Sequence, residues 1–286
     1  MDESNDSLAE GDLGLFGPDS VTWRVHADPL MGVAGLRGLL LEALHPVAIE
    51  AVDRHSPFRH DPWGRVARTA EYIAVTTYGS ASEAMLAGSR VRAVHARITG
   101  WTATGAEYRA DDPQLLAWVH CCLVASFLEI VTRGGLVLTG AEQDGYVAEQ
   151  VRAAMLVGLE PDEVPHDRAG LRDYFRVIRP LLEVSPAAHL AASIVVTGAP
   201  SPSGPALCVP DCEPFLPDDA TPATRQAWTS AAGLAFATLP PWARRLYALP
   251  ERPGAAALDD VQATRALRDL RTSLVATGRG ARPAAP

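Results

Sequence analysis

Five of the eight histidines, His45, His55, His60, His95 and His120, fall between positions 45 and 120 of a 286-residue chain. Three of them, His45, His95 and His120, sit in stretches whose apolar residues recur at helical spacing. A lone histidine on an apolar helix is ordinarily a core residue with satisfied nitrogens. Three on separate helices also suit a metal or cofactor gripped by facing helices. The sequence holds no HExxH and no CxxCH haem attachment, and the surrounding helices carry too few carboxylates for a di-iron centre. A single imidazole ligand to a non-covalent haem needs no short motif, only a histidine facing an apolar slot. That reading survives beside the core-residue one.

A second cluster is Arg65, Arg68 and Thr69. Positions i, i+3 and i+4 of a helix project to one side. Two guanidiniums and a hydroxyl there form either a solvated face with partners such as Glu71, or a cationic group that binds an anion.

The remaining composition narrows the class. The net charge is -9, which argues against nucleic acid as the main partner because phosphate binding needs a positive surface. All 25 basic residues are arginine, so Schiff-base chemistry, pyridoxal phosphate anchoring and the P-loop lysine are excluded. Cys121 and Cys122 read as buried small hydrophobes. Cys208 and Cys212 lack partner ligands at zinc spacing. The longest apolar stretch, Val119 to Val131, contains Glu129 and falls short of the roughly 18–20 residues of a spanning helix. The acidic, polar start (MDESNDSLAEGDLG) is unlike a secretion signal, so a cytoplasmic protein is expected.

Abundant Ala, Leu and Val with few aromatics predict an all-α fold, a single multi-helix domain. Residues 1–20 and 277–286 read as disordered tails flanking a helical domain over 21–276, with a Gly/Pro-rich loop at 198–222. Helices are predicted over 31–49 with a break at Pro46, then 64–78, 82–99 ending at Gly100, and from Pro113 with Asp112 as N-cap. Others follow over 139–158, opened by a Thr139/Glu142 capping box, and over 168–182, 187–196, 222–237 and 259–276. Residues 54–63 read as a loop.

The stretches LLLEALHPVAIEAVDRHSPFRHDPWGRVARTAEYI, VRAVHARITG, YRADDPQLLAWVHCCLVASFLE and AEQDGYVAEQVRAAMLVGL occur in that order. Together they resemble the catalytic domain shared by bacterial rubber oxygenases (latex-clearing proteins) and the fungal oxygenase mpaB, strongly over residues 23–185. The resemblance implies an all-helical fold with globin-like character, one non-covalent haem b and oxidative cleavage of hydrophobic substrates with dioxygen. It implies that His95, in Arg92-x-x-His95-Ala96, ligates the iron, with His120 in reserve. His45 and His120 match recurring positions and are candidates for lining the cofactor pocket. The distal Arg-x-x-Lys-Thr cluster of rubber oxygenases reads here Arg65-x-x-Arg68-Thr69. An arginine is a very poor iron ligand, so the sixth position is expected to be open or water-occupied, with Arg68 donating to dioxygen or a propionate. Without a secretion signal, rubber is not the expected substrate; an alkene, terpenoid or specialised metabolite is. A haem-binding or haem-sensing protein without turnover, and a haem-free helical ligand-binding module, are the competing readings. Oligomeric state is left open.

Overall fold

Asp112 and Pro113 start the helix on which the rest is built. Asp112 accepts a hydrogen bond from the Gln114 amide at 2.8 Å, and Pro113 fills the first helical position, where no amide donor is missed. The computed structural model describes residues 12–102, 105–197, 221–247 and 259–277. Among them stand twelve α-helices and one two-stranded sheet. The first are α1 (Val21–His26), α2 (Met31–Glu42), α3 (Pro46–His55), α4 (Pro62–Tyr78) and α5 (Ala81–His95). Strands β1 (Thr99–Trp101) and β2 (Glu107–Arg109) come next, then α6 (Pro113–Arg133), α7 (Gly140–Leu156) and α8 (Arg168–Ile178). The chain closes with α9 (Pro186–Thr197), α10 (Pro222–Ala237), α11 (Pro241–Tyr247) and α12 (Asp260–Ala276). The Gly/Pro-rich loop, Cys208 and Cys212, and residues 278–286 lie outside the described residues.

The core is the seam between α2 and α6, with α10 on the far side of α2. Leu40, Leu41 and Leu44 are nearly inaccessible, as are Trp118, Cys121, Cys122 and Ile130. Each such leucine contributes about 1.5–3 kcal/mol by leaving water. Contrary to the expectation from Val119–Val131, the 21-residue α6 is long and apolar enough to cross a membrane by length and composition. Here 67% of its apolar window is buried by other helices of the chain. An all-round apolar helix has two solutions, and the packed core is the one seen.

The predicted break at Pro46 is real: α2 and α3 meet at 106°. His45 accepts from the Ala48 amide and caps α3, so its ring serves the turn. Segment 54–63 is less loop-like than expected. Its Pro62 is the first residue of α4, capped by Asp61, since proline suits that position. Residues 12–20 pack rather than trail. The Asp12 carboxylate accepts from the Ala81 amide at the start of α5, Arg152 donates to the Leu15 carbonyl, and Phe16 is buried.

The hairpin β1–β2 was not anticipated. Gly100, expected to stop a helix, instead faces Tyr108, whose hydroxyl would stand 2.5 Å from an added Cβ. The helix before it ends at His95. Helix α5 is set against α7 by Gly88, where a Cβ would meet the Leu156 carbonyl oxygen at 2.6 Å. Backbone cannot yield as a side chain can, so Gly88→Ala is expected to destabilise the fold by about 1–3 kcal/mol, read by urea denaturation.

Candidate active site

Helix α4 leads to α5 through Gly79 and a Ser80/Glu83 capping box, and the two helices pack together. The return brings the end of α5 back to the start of α4. His95 consequently lies within electrostatic reach of Arg65 and of Asp111. Its Nδ1 is buried and has no hydrogen-bond partner among the described residues. Burial pushes its pKa down, with Asp111 opposing and Arg65 reinforcing. Such an imidazole is neutral at pH 7, the state in which a histidine ligates metal. Leaving a buried polar nitrogen unpaired costs about 1–3 kcal/mol.

Arg65 points inward. Burial lowers its pKa, the Glu42 carboxylate opposing, and its Nη1 donates to Ser56 Oγ at 3.2 Å. Arg68 points outward: its side chain is 57% exposed and pairs with Asp61 at 3.2 Å. Thr69 lies inward, its hydroxyl donating to the Arg65 carbonyl at 3.2 Å. Tyr72, one turn on from Thr69, has a buried hydroxyl without a partner among the described residues, and burial raises its pKa to about 12. Arg65, Thr69 and Tyr72 share a face of α4 at i, i+4 and i+7. The structure thus joins His95, Arg65 and Thr69, and sets Arg68 at the surface.

The other candidates lie apart. His45 is the α3 cap, packed 6.1 Å from the Trp118 ring. His120 on α6 is pushed down to about 4 by burial, with no charged neighbour contributing. His55 bonds the Tyr108 hydroxyl at 3.1 Å and ties α3 to the hairpin. Among the described residues no group of three or more His, Cys, Asp or Glu side chains could hold a metal ion. A haem, anchored by one imidazole, requires no such group. The partnerless Nδ1 of His95 and the inward cation of Arg65 fit one.

Two participants escaped the sequence reading. Glu42, at the end of α2, keeps little surface and has its pKa raised to about 7 by burial, with Arg65 opposing. It stands at Glu-x-x-His spacing from His45, but α2 ends at Glu42, so the two do not share a helix face. The folded chain holds this proton up to about pH 7, the unfolded chain only to about 4.5. Stability therefore falls as pH rises through that window. Glu42→Gln is expected to gain on the order of 2 kcal/mol over the parent at pH 8 and little below pH 4.5, measured by urea unfolding at both.

The second is His26 on α1. Its Nδ1 lies 2.7 Å from Thr77 Oγ1 and its Nε2 3.2 Å from the Tyr146 hydroxyl. Burial alone lowers its pKa to about 3, so it is neutral. His26 lines an apolar cavity of about 220 Å3 between α1, α2, α4 and α6, walled also by Leu36, Leu39, Val66, Ile73, Leu123 and Phe127. Thr69 lines it as well, which connects the cavity with the Arg65–His95 group.

Two uncharacterised proteins, from Mycobacterium bovis and Mycobacterium tuberculosis, are each 26% identical to this chain over 125 residues, 44% of its length. The matched region is 49% of each, so the chain spans about half the length of the curated relatives it matches. No solved structure matches, and globin-like character rests on the resemblance alone. A family model described as ER-bound oxygenase mpaB/B'/rubber oxygenase, catalytic domain, matches residues 23–272, most of the chain, and the chain belongs to that family.

Proposed function

We propose that the chain is a haem b-dependent oxygenase that acts with dioxygen on a small or medium hydrophobic substrate, and that His95 binds the iron. The observation that carries this is the buried, partnerless Nδ1 of His95 beside the inward guanidinium of Arg65. Membership in an oxygenase family supports it. Haem bound there supplies the redox chemistry of dioxygen activation.

The side chains supply the rest. Burial keeps the His95 ring neutral and available as a donor. Arg65 is a fixed cation in low dielectric, suited to a carboxylate or to charge that develops during reaction. Thr69 Oγ1 donates to the Arg65 carbonyl, and the residue lines the cavity. Glu42, poised near pH 7 on its carboxyl oxygens, can hold or release a proton beside Arg65. The apolar walls suit a hydrophobic molecule. Arg68, exposed and paired with Asp61, stands at the surface, outside the cavity lining.

Turnover of an alkene or terpenoid under isotope-labelled dioxygen tests the reading. Label in the product supports it. Haem uptake with no oxygen consumption across a panel of such substrates contradicts it and favours a haem-binding protein without turnover.

A further inference from the structure

Helix α2 carries three glycines, Gly32, Gly35 and Gly38. Gly38 has a packing reason: an added Cβ would stand 2.9 Å from Leu123 Cδ2, where α2 meets α6. At Gly32 and Gly35 a Cβ would meet nothing within 4 Å. Glycine is the worst residue for a helix after proline, so α2 forgoes stability at two positions where no neighbour demands it. Both positions line the apolar cavity, and Ala70 and Ala74 line it from α4. Gly32, Ala70 and Ala74 are exposed and form its open rim.

The cavity is elongated. Its lining recurs along α2 from Met31 to Leu39 and along α4 from Val66 to Tyr78. At 1.5 Å per residue these stretches are about 12 Å and about 18 Å long. The helices run in opposite directions beside it. Glu42, one turn beyond Leu39, is within electrostatic reach of Arg65, while His26 near the start of α2 bonds Thr77 near the end of α4. The slot therefore runs from Val66 and Thr69, next to Arg65 on α4, to His26, fixed by Thr77 and Tyr146 and packed edge-on to Phe127.

We propose that Gly32 and Gly35 are specificity-determining residues. Bare backbone there holds open a slot for one extended hydrocarbon chain, and the His26 wall limits that chain to a monomeric compound about 12–18 Å long. This rests on the oxygenase reading only for the fate of the bound molecule; the slot itself can be tested without turnover. Apart from Thr69 and His26, whose ring nitrogens are both engaged, the wall is almost wholly apolar, which suits a saturated or isoprenoid chain rather than a sugar or a nucleotide.

The test uses the full chain and 1,6-diphenyl-1,3,5-hexatriene, a rod-shaped fluorescent polyene short enough for the slot, as probe. Gly35→Leu and Gly32→Leu are expected to weaken probe binding at least about tenfold while the melting temperature holds or rises, since leucine favours a helix and meets no clash at its Cβ. Gly35→Ala, the milder filling, is expected to weaken binding by about two- to threefold and to raise the melting temperature. Gly145→Leu is the control, because Gly145 is equally open but lies on α7, off the slot, and binding there should not change. Equal probe affinity in Gly35→Leu and the parent overturns the proposal, as does a parent chain that takes up no probe. Loss of haem uptake in Gly35→Leu in step with loss of probe also overturns it, because the cavity would then hold the cofactor. Probe binding by a chain that never takes up haem leaves the slot standing and removes the oxygenase reading.

Discussion

His95→Ala is expected to lose haem and keep its fold. With haem supplied, the parent chain should approach one haem per chain and the variant should retain under about a tenth of that, since a single imidazole anchors the iron. The apoprotein should scarcely notice. His95 is half-buried at the end of α5, and its Nδ1 satisfies no partner in the fold. Removing the ring deletes an unpaired polar atom as well as some packing, so the two effects oppose and the stability change should stay within about 1 kcal/mol. His95→Gly with imidazole in the medium should regain the bound haem. Haem content near the parent's in His95→Ala would move the ligand elsewhere. His120, which burial keeps neutral, would then be tested next.

Arg65→Ala should cost far more activity than Arg68→Ala. Arg65 is an inward cation that acts on both His95 and Glu42. Its loss removes a preorganised positive charge from a low-dielectric site, an effect of about a hundredfold in turnover. It also strips Glu42 of the charge that restrains its raised pKa, so the Glu42 limb of the pH–rate profile should move to higher pH. Arg65→Lys should recover little, because an ammonium does not reproduce the fork of donors. Arg68 is 57% exposed in an ion pair with Asp61, and such surface pairs contribute about 0–1 kcal/mol. Its replacement should change turnover by less than about threefold. Steady-state kinetics of the two variants, at matched haem content, decide the ranking; the reverse order would restore Arg68 as the governing cation.

The fold was legible wherever local chemistry fixes an end. Asp112-Pro113, the Thr139/Glu142 box and the Pro46 break stand as read, because caps and proline act within one turn. The hairpin after His95 was not legible: its three-residue strands are too short for alternation to register, and Gly100 reads equally as a helix stop. The site was legible by residue type and not by orientation. Arg65 and Arg68 share a helix face by spacing, yet three residues leave them about 60° apart around the axis, enough for one to face the interior and one the solvent. The approach of His95 to Arg65 depends on α5 returning along α4, a tertiary fact. Glu42 was visible as a lone acid in an apolar run, LLLEALHP, but only burial gives it a proton near pH 7. His26 ends α1, a helix of six residues and too short for periodicity to register, and its place in the cavity wall follows from α1 packing on α4, α6 and α7.

The absorption spectrum of the purified chain, expressed with a haem precursor and recorded oxidised, reduced and reduced under carbon monoxide, tests the central claim most directly. A red protein is expected, with a Soret band that shifts on reduction and again with carbon monoxide, since the chain has no lysine to compete for the iron. No such band is expected for His95→Ala. A colourless parent chain, or a band unchanged in His95→Ala, would contradict it.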